Sequence, residues 1–274
     1  MQGRIAAALG LSGMALWCLT AVVTRPSYHD SREPLPGTIT IKRSNGRPRW
    51  CSKCSAPKPD RCHHCRQCGR CVLKMDHHCP WLLDTCIGLR NYKAFVLFLL
   101  YTSLFCVLCL DTLVRACLAL WSDDPEVVVE IPLLWIALFA LTLLLSLTLI
   151  PFFLYHVYLI SANMTTLENM EGLSDVRLQD TPAPSSSHSQ LSRLLVRPEE
   201  RPKARDSKIN VYNVGLRGNW AAVFGPQWRW CWAPCGKLSS EGYTFPVNQT
   251  ALRAMWEQRD YSDSGDARNE GPTG

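Results

Sequence analysis

The sequence predicts an α-helical integral membrane protein with three transmembrane helices and a cysteine-rich domain of short strands and loops exposed to the cytosol. Three observations predict it. Apolar residues are bunched into three long runs, basic residues concentrate in two of the intervening or flanking segments, and eight of the 14 cysteines fall between residues 51 and 86. The mean hydropathy of −0.04 conceals the runs because polar segments offset them.

The first run, "IAAALGLSGMALWCLTAVV" (5–23), is apolar throughout, and the second, "AFVLFLLYTSLFCVLCLDTLVRACLAL" (94–120), carries only Asp111 and Arg115. The third, "IPLLWIALFALTLLLSLTLIPFFLYHVYLI" (131–160), has His156 as its one titratable acid or base. Runs of about 18 or more apolar residues read as bilayer-spanning helices. A cleaved leader is the alternative for the first run, since Arg4 precedes it, but the run exceeds the usual length of a leader's apolar core. Asp111 and Arg115 stand four apart and can form a lateral ion pair, which lowers the cost of charge in lipid.

Charge sets the orientation. Residues 24–93 hold 14 Lys and Arg and the tail 161–274 holds 13, whereas the loop "WSDDPEVVVE" (121–130) holds none and four acids. Positive segments stay cytosolic. The organisation is therefore a span at 1–23, a linker at 24–50, the cysteine-rich domain at 51–93, a span at 94–120, a lumenal loop at 121–130, a span at 131–160 and a cytosolic tail at 161–274. The tail segment 172–208 is rich in Ser, Pro and charge and reads as disordered, as does the polar end after about 257. The net charge of +6 fits a cytosolic face beside anionic lipid. No recognition-helix pattern accompanies it, so the bilayer is the expected partner and nucleic acid is not.

The chemistry lies in the spacing. Cys51, Cys54, Cys62, His63, His64, Cys65, Cys68, Cys71, His77, His78, Cys79 and Cys86 are candidate ligands packed into one short segment. Cytosolic thiols stay reduced, so the cluster reads as metal-binding or catalytic. The segment is too poor in aliphatic residues to fold on its own core, and a structural zinc wants four N or S ligands. Two zinc ions take eight groups and leave four spare. The stretch "KMDHHCPWLLDTCIG" (74–88) can then be part of a metal site or a nucleophile beside its base. A membrane-anchored zinc adaptor without chemistry is the competing class, and it would use every thiol for metal or structure.

"CSKCSAPKPDRCHHCRQCGRCVLKMDHHCPW" and "CIGLRNYKAF", flanked by spans, resemble the DHHC protein S-acyltransferases, and the tail loosely resembles fungal members of that family. The resemblance implies zinc held by Cys51, Cys54, His64 and Cys71, and a second zinc held by Cys65, Cys68, His78 and Cys86. It implies that Cys79 is the nucleophile, His77 its base and Asp76 the group that orients His77, with Cys62 and His63 in packing roles. An acyl-CoA such as palmitoyl-CoA is the implied co-substrate, with Lys58 and Arg61 near its phosphates. Membrane-associated proteins bearing cysteines are the implied acceptors, on an endomembrane such as vacuole, Golgi or ER. "TTLE" (165–168) matches the family's TTxE motif, and "NVYNVGLRGNWAAVFG" (210–225) its C-terminal motif. Of the latter, Asn219 is implied to bond near TTxE and Tyr212 to pack against the spans. "PQWRWCWAPCG" (226–236) alternates Trp228, Trp230 and Trp232 and reads as lying on the cytosolic leaflet.

Two departures carry expectations of their own. The family usually has two spans ahead of the cysteine-rich domain, and this chain supplies one. Six residues, "PWLLDT", separate Cys79 from Cys86 where the family usually has five. The extra residue is either absorbed as a bulge or moves Cys86 away from the second metal.

Overall fold

The computed structural model describes residues 2–29, 40–42, 49–123, 133–171, 176–178, 210–225, 232–236 and 241–252. Most of the linker, the core of the acidic loop, nearly all of the Ser/Pro-rich tail, the polar end, Trp228, Trp230 and Cys231 lie outside the described residues.

Among the described residues, three helices are long and apolar enough to cross a membrane: α1 (Gln2–Thr24), α2 (Tyr92–Asp123) and α3 (Leu133–Ala162). α1 packs along α2, and α2 along α3. α3 is the most exposed of the three, with Leu141, Leu144 and Leu147 open to the surroundings. Such a surface suits lipid and not water. Its buried residues, Ser146, His156, Leu159 and Ile160, fall mainly in the last third, where it meets the rest of the chain. Pro151 sits inside α3; membrane helices tolerate the missing backbone donor because neighbouring groups re-satisfy the freed carbonyl. The Asp111–Arg115 pair forms at 2.9 Å, and Arg4 of α1 joins it at 2.7 Å, so the pair also ties α1 to α2.

Between α1 and α2 the described residues fold as small antiparallel pieces: β1 (Tyr28–His29) with β6 (Arg70–Val72) and β5 (His63–Cys65), β3 (Trp50–Cys51) with β4 (Ala56–Pro57), and β7 (His77–Cys79) with β8 (Thr85–Ile87); β2 (Thr40–Lys42) pairs instead with β9 (Val176–Leu178), beyond α3. This corrects two boundaries. The linker contributes β1, so the cysteine-rich domain includes residues 28–29 as well as 51–93. Residues 176–178, read as disordered tail, pair with 40–42 in the register Thr40↔Leu178. Both partners are distant in sequence and too short to show a period-2 pattern.

The domain is seated on the helices by a shared core. Ala21 and Val22 of α1, Cys79, Leu82 and Ile87 of the β7–β8 hairpin, Tyr92, Phe95, Val96 and Leu99 of α2 and Ile160 of α3 form one buried cluster. Gly88 is required at the junction, because a Cβ there would lie 2.7 Å from the Leu73 carbonyl oxygen and 2.9 Å from Val72. After α3 come a short helix α4 (Thr166–Glu171) and, further on, α5 (Leu216–Phe224).

Candidate active site and metal centres

Strand alternation sorts the functional side chains. Successive side chains of a strand point to opposite faces, so β7 sends His77 and Cys79 one way and His78 the other. Its partner β8 places Cys86 opposite His78, which puts that pair on a common face. In the second hairpin His64 stands opposite Cys71. The remaining ligand pairs sit on two matching turns, in which the Cys54 and Cys68 backbone N–H groups each point 3.4 Å from the sulfur three residues earlier. The residue after each pair takes a left-handed backbone, Ser55 at φ 50° and Gly69 at φ 65°.

Two quartets result. Cys51, Cys54, His64 and Cys71 converge in one, and Cys65, Cys68, His78 and Cys86 in the other. From His64 Nδ1 the three sulfurs lie at 3.5, 3.3 and 4.0 Å, and from His78 Nδ1 at 3.6, 3.5 and 3.5 Å. A tetrahedral zinc with Zn–S about 2.3 Å and Zn–N about 2.0–2.1 Å sets S···N edges near 3.5 Å. Both donor sets therefore suit zinc in kind, number and spacing. The extra residue before Cys86 is absorbed in the loop: Leu83 and Asp84 both adopt left-handed backbone, at φ 52° and 56°. Cys86 Sγ stays 3.4 Å from Cys68 Sγ.

Four of the candidate groups lie outside the quartets. Cys62 is fully buried among Cys51 and Cys71. His63 is pushed down to about 4 by burial and by the nearby Arg49 cation. His77 and Cys79 face the helices with Asp76. Asp76 is buried, and its Oδ2 accepts a 2.7 Å hydrogen bond from His77 Nδ1. Thr166 supplies two more donors, its N–H to Oδ1 at 2.9 Å and its hydroxyl to Oδ2 at 2.8 Å. Burial opposes charge on all three groups. It is outweighed at His77, raised to about 9 by the Asp76 carboxylate and the Cys79 sulfur, and at Cys79, held below the ordinary thiol value by its hydrogen bond with His77. Asp76 is likewise held low by His77 and Thr166. The arrangement favours a thiolate beside an imidazolium, the reactive form of a cysteine nucleophile.

Beneath His77 lies an aromatic floor. Phe95 meets its ring edge-on at 5.2 Å, and Phe152 and His156 lie at 6.3 and 6.1 Å. His156 is fully buried, and its Nδ1 is 3.0 Å from the Tyr92 hydroxyl. The sequence marked His156 as the titratable residue of the third span, but not its place beside the reacting groups.

"TTLE" forms a capping box. The Thr165 N–H donates to Glu168 Oε2 at 2.9 Å and the Glu168 N–H donates to Thr165 Oγ1 at 3.2 Å, which satisfies two open donors at the start of α4. The same box aims Thr166 at Asp76. Glu168 also takes a two-pronged ion pair from Arg61, with Nε to Oε1 at 2.7 Å and Nη2 to Oε2 at 2.6 Å.

Arg61 is therefore placed differently from the phosphate contact that the resemblance implied. Its Nη1 and Nη2 also donate to the Asn163 side chain and carbonyl at 2.9 and 3.0 Å. That occupies four of its five N–H groups. Its side chain is 1% exposed, and the Tyr212 ring covers the guanidinium at 4.7 Å. Arg61 is a link between the cysteine-rich domain and α4, out of reach of a coenzyme in solvent. Lys58 is half-buried after β4 and acts electrostatically on His63 and His64. Lys74, which sequence reading passed over, is buried beside Arg61 and is lowered to about 7 by burial first and by that cation second.

The C-terminal motif ties down the end of α3. Asn219 donates to the Ser161 carbonyl at 2.7 Å, Asn210 to the Ala162 carbonyl at 2.6 Å and Asn163 to the Tyr212 carbonyl at 2.6 Å. Asn219 thus bonds four residues ahead of TTLE. The Tyr212 ring has Arg61 and Phe245 as partners, which the implied packing against the spans did not anticipate.

The family described as DHHC palmitoyltransferase matches residues 44–172. Over 249 residues the chain is 32% identical to palmitoyltransferase ZDHHC15 of Rattus norvegicus, covering 89% of this chain and 64% of that protein. The Homo sapiens protein of the same name gives the same identity and coverage. Palmitoyltransferase pfa3 of Aspergillus fumigatus is 49% identical over 131 residues, 47% of this chain and 23% of the relative. The chain spans somewhat under two thirds of the length of the first of these relatives and a smaller share of the fungal one. With two zinc-compatible quartets, the DHHC stretch and three membrane-length helices, this integral membrane protein carries a DHHC palmitoyltransferase domain over residues 44–172.

Proposed function

We propose that the chain is a protein S-acyltransferase that moves a palmitoyl group from palmitoyl-CoA to a cysteine of a membrane-associated protein, through a thioester on Cys79. One observation carries the reading: Asp76 accepts a hydrogen bond from His77, His77 and Cys79 share one face of β7, and all three stand apart from the two metal-suited quartets, at the seam between the β7–β8 hairpin and the apolar helices. Names of relatives support the reaction class.

In the first half-reaction the Cys79 thiolate attacks the thioester carbonyl carbon. The C–S bond to coenzyme A breaks, and the departing thiolate takes the proton held on His77 Nε2. In the second, the acceptor cysteine gives its proton to His77 and attacks the acyl group, and Cys79 leaves as thiolate. Asp76 holds His77 Nδ1–H throughout, which fixes the tautomer and stabilises the imidazolium. Zinc held by Cys51, Cys54, His64 and Cys71, and by Cys65, Cys68, His78 and Cys86, supplies folding energy to a segment with little core of its own. Lys58 is the remaining candidate for a coenzyme phosphate. The acyl chain lies against the helices beside Phe95 and Phe152. The site faces the cytosol, a reading the basic segments support, and the membrane is an endomembrane such as vacuole, Golgi or ER.

The test is auto-acylation. Purified protein given palmitoyl-CoA acquires a hydroxylamine-labile acyl group at Cys79. Equal labelling of Cys79→Ser and parent would overturn the assignment.

A further inference from the structure

The two metal quartets differ in what stands behind their histidines. His78 turns Nδ1 toward three sulfurs, and its other nitrogen, Nε2, donates to Asp84 Oδ1 at 2.8 Å. His64 has the same inward Nδ1, but its charged neighbours are Lys53 and Lys58, and among the described residues it has no carboxylate partner in an ion pair. Asp84 reaches His78 from a loop in which two consecutive residues, Leu83 and Asp84, hold a left-handed backbone. That conformation is costly for side chains with a Cβ and persists where the surroundings demand it. The loop is the one lengthened before Cys86, so the added residue and the Asp84 contact belong to one local device.

We propose that Asp84 is a positioning residue of the second metal centre. It fixes the tautomer of His78 that leaves Nδ1 free for metal, orients the ring, and raises its basicity as a ligand, as a carboxylate behind a metal-bound histidine does. The consequence reaches the reacting groups because His78 lies between His77 and Cys79 on β7. Retention of metal by His78 sets the strand that presents both. Among the described residues, the second centre is thus reinforced where the first is not. The inference rests on the reading of both quartets as zinc sites.

Zinc release tests it, using the full chain in detergent micelles, loaded with zinc and mixed with excess chromogenic chelator. The parent binds two zinc ions and releases them in two phases. In Asp84→Ala one phase quickens by about 10–100-fold and the other is unchanged, following the usual effect of removing such a partner. Asp84→Asn keeps a neutral acceptor for Nε2–H and falls between the two. A parent with two zinc ions and an Asp84→Ala variant with unchanged release would overturn the proposal alone. Equal acceleration of both phases would overturn it too, since that marks general loosening. A parent holding fewer than two zinc ions would remove the metal reading and this inference together.

Discussion

Asp76 accepts three hydrogen bonds from two separate parts of the chain, His77 beside it and Thr166 ninety residues on. Its charge favours a proton on His77, which in turn favours the Cys79 thiolate. Asp76→Asn retains the shape and removes the charge. Alkylation of Cys79 at pH 7 should slow about tenfold or more, one unit of pKa being a factor of ten, and its pH profile should move upward. Lys74 has the opposite character. Its folded value of about 7 lies below the ordinary lysine value of 10.5, so the unfolded chain binds more protons between those limits, and this group's contribution to stability improves as pH rises through that window. Lys74→Met should melt above the parent at pH 7, with the difference shrinking by pH 9. At His156 the loss is of a partner: His156→Phe strands the buried Tyr92 hydroxyl, at a cost of about 1–3 kcal/mol, visible as a lower thermal midpoint in detergent.

At the scale of elements, the β7–β8 hairpin and the start of α4 do most of the arranging. The hairpin separates nucleophile and base from metal ligand by alternation alone, and the capping box of TTLE delivers Thr166 to Asp76. Arg61 joins them by its ion pair with Glu168, whose side chain is 11% exposed. Arg61→Ala leaves a buried carboxylate without its cation, and stability should fall by about 3–5 kcal/mol. Were Arg61 instead a coenzyme contact, the same change would weaken palmitoyl-CoA binding and spare the melt. The spans, the ligand spacing and the Asp-His-Cys stretch were legible in sequence because each is a local pattern, a run or a fixed interval. Strand β1, paired across more than forty residues with β6, was not, and neither was β9 with β2. The burial of Arg61 was equally hidden, because an arginine in a polar motif reads the same whether it meets solvent or Glu168, over a hundred residues away. Tyr92 and His156 belong to different spans, and no spacing rule relates them.

For the molecule as a whole, the helices and the cysteine-rich domain have different sources of stability. Membrane helices satisfy their backbone bonds internally, whereas the domain relies on the two quartets. Stripping metal with a strong chelator should therefore abolish rapid alkylation of Cys79 while leaving most of the far-ultraviolet helical signal in place. The shared core of α1, the hairpin, α2 and α3 makes the junction the point at which one part reads the state of the other. The chemistry depends on one separation: among the described residues two quartets suit metal, and the Cys79 sulfur, beside its imidazole neighbour, belongs to neither. Metal analysis of the native protein combined with mass-spectrometric mapping of a brief alkylation tests this most directly. Two zinc ions per chain, with Cys79 modified first among the cysteines of residues 51–86, is the predicted result. Three metal ions, or a Cys79 as protected as Cys51 and Cys65, would contradict it.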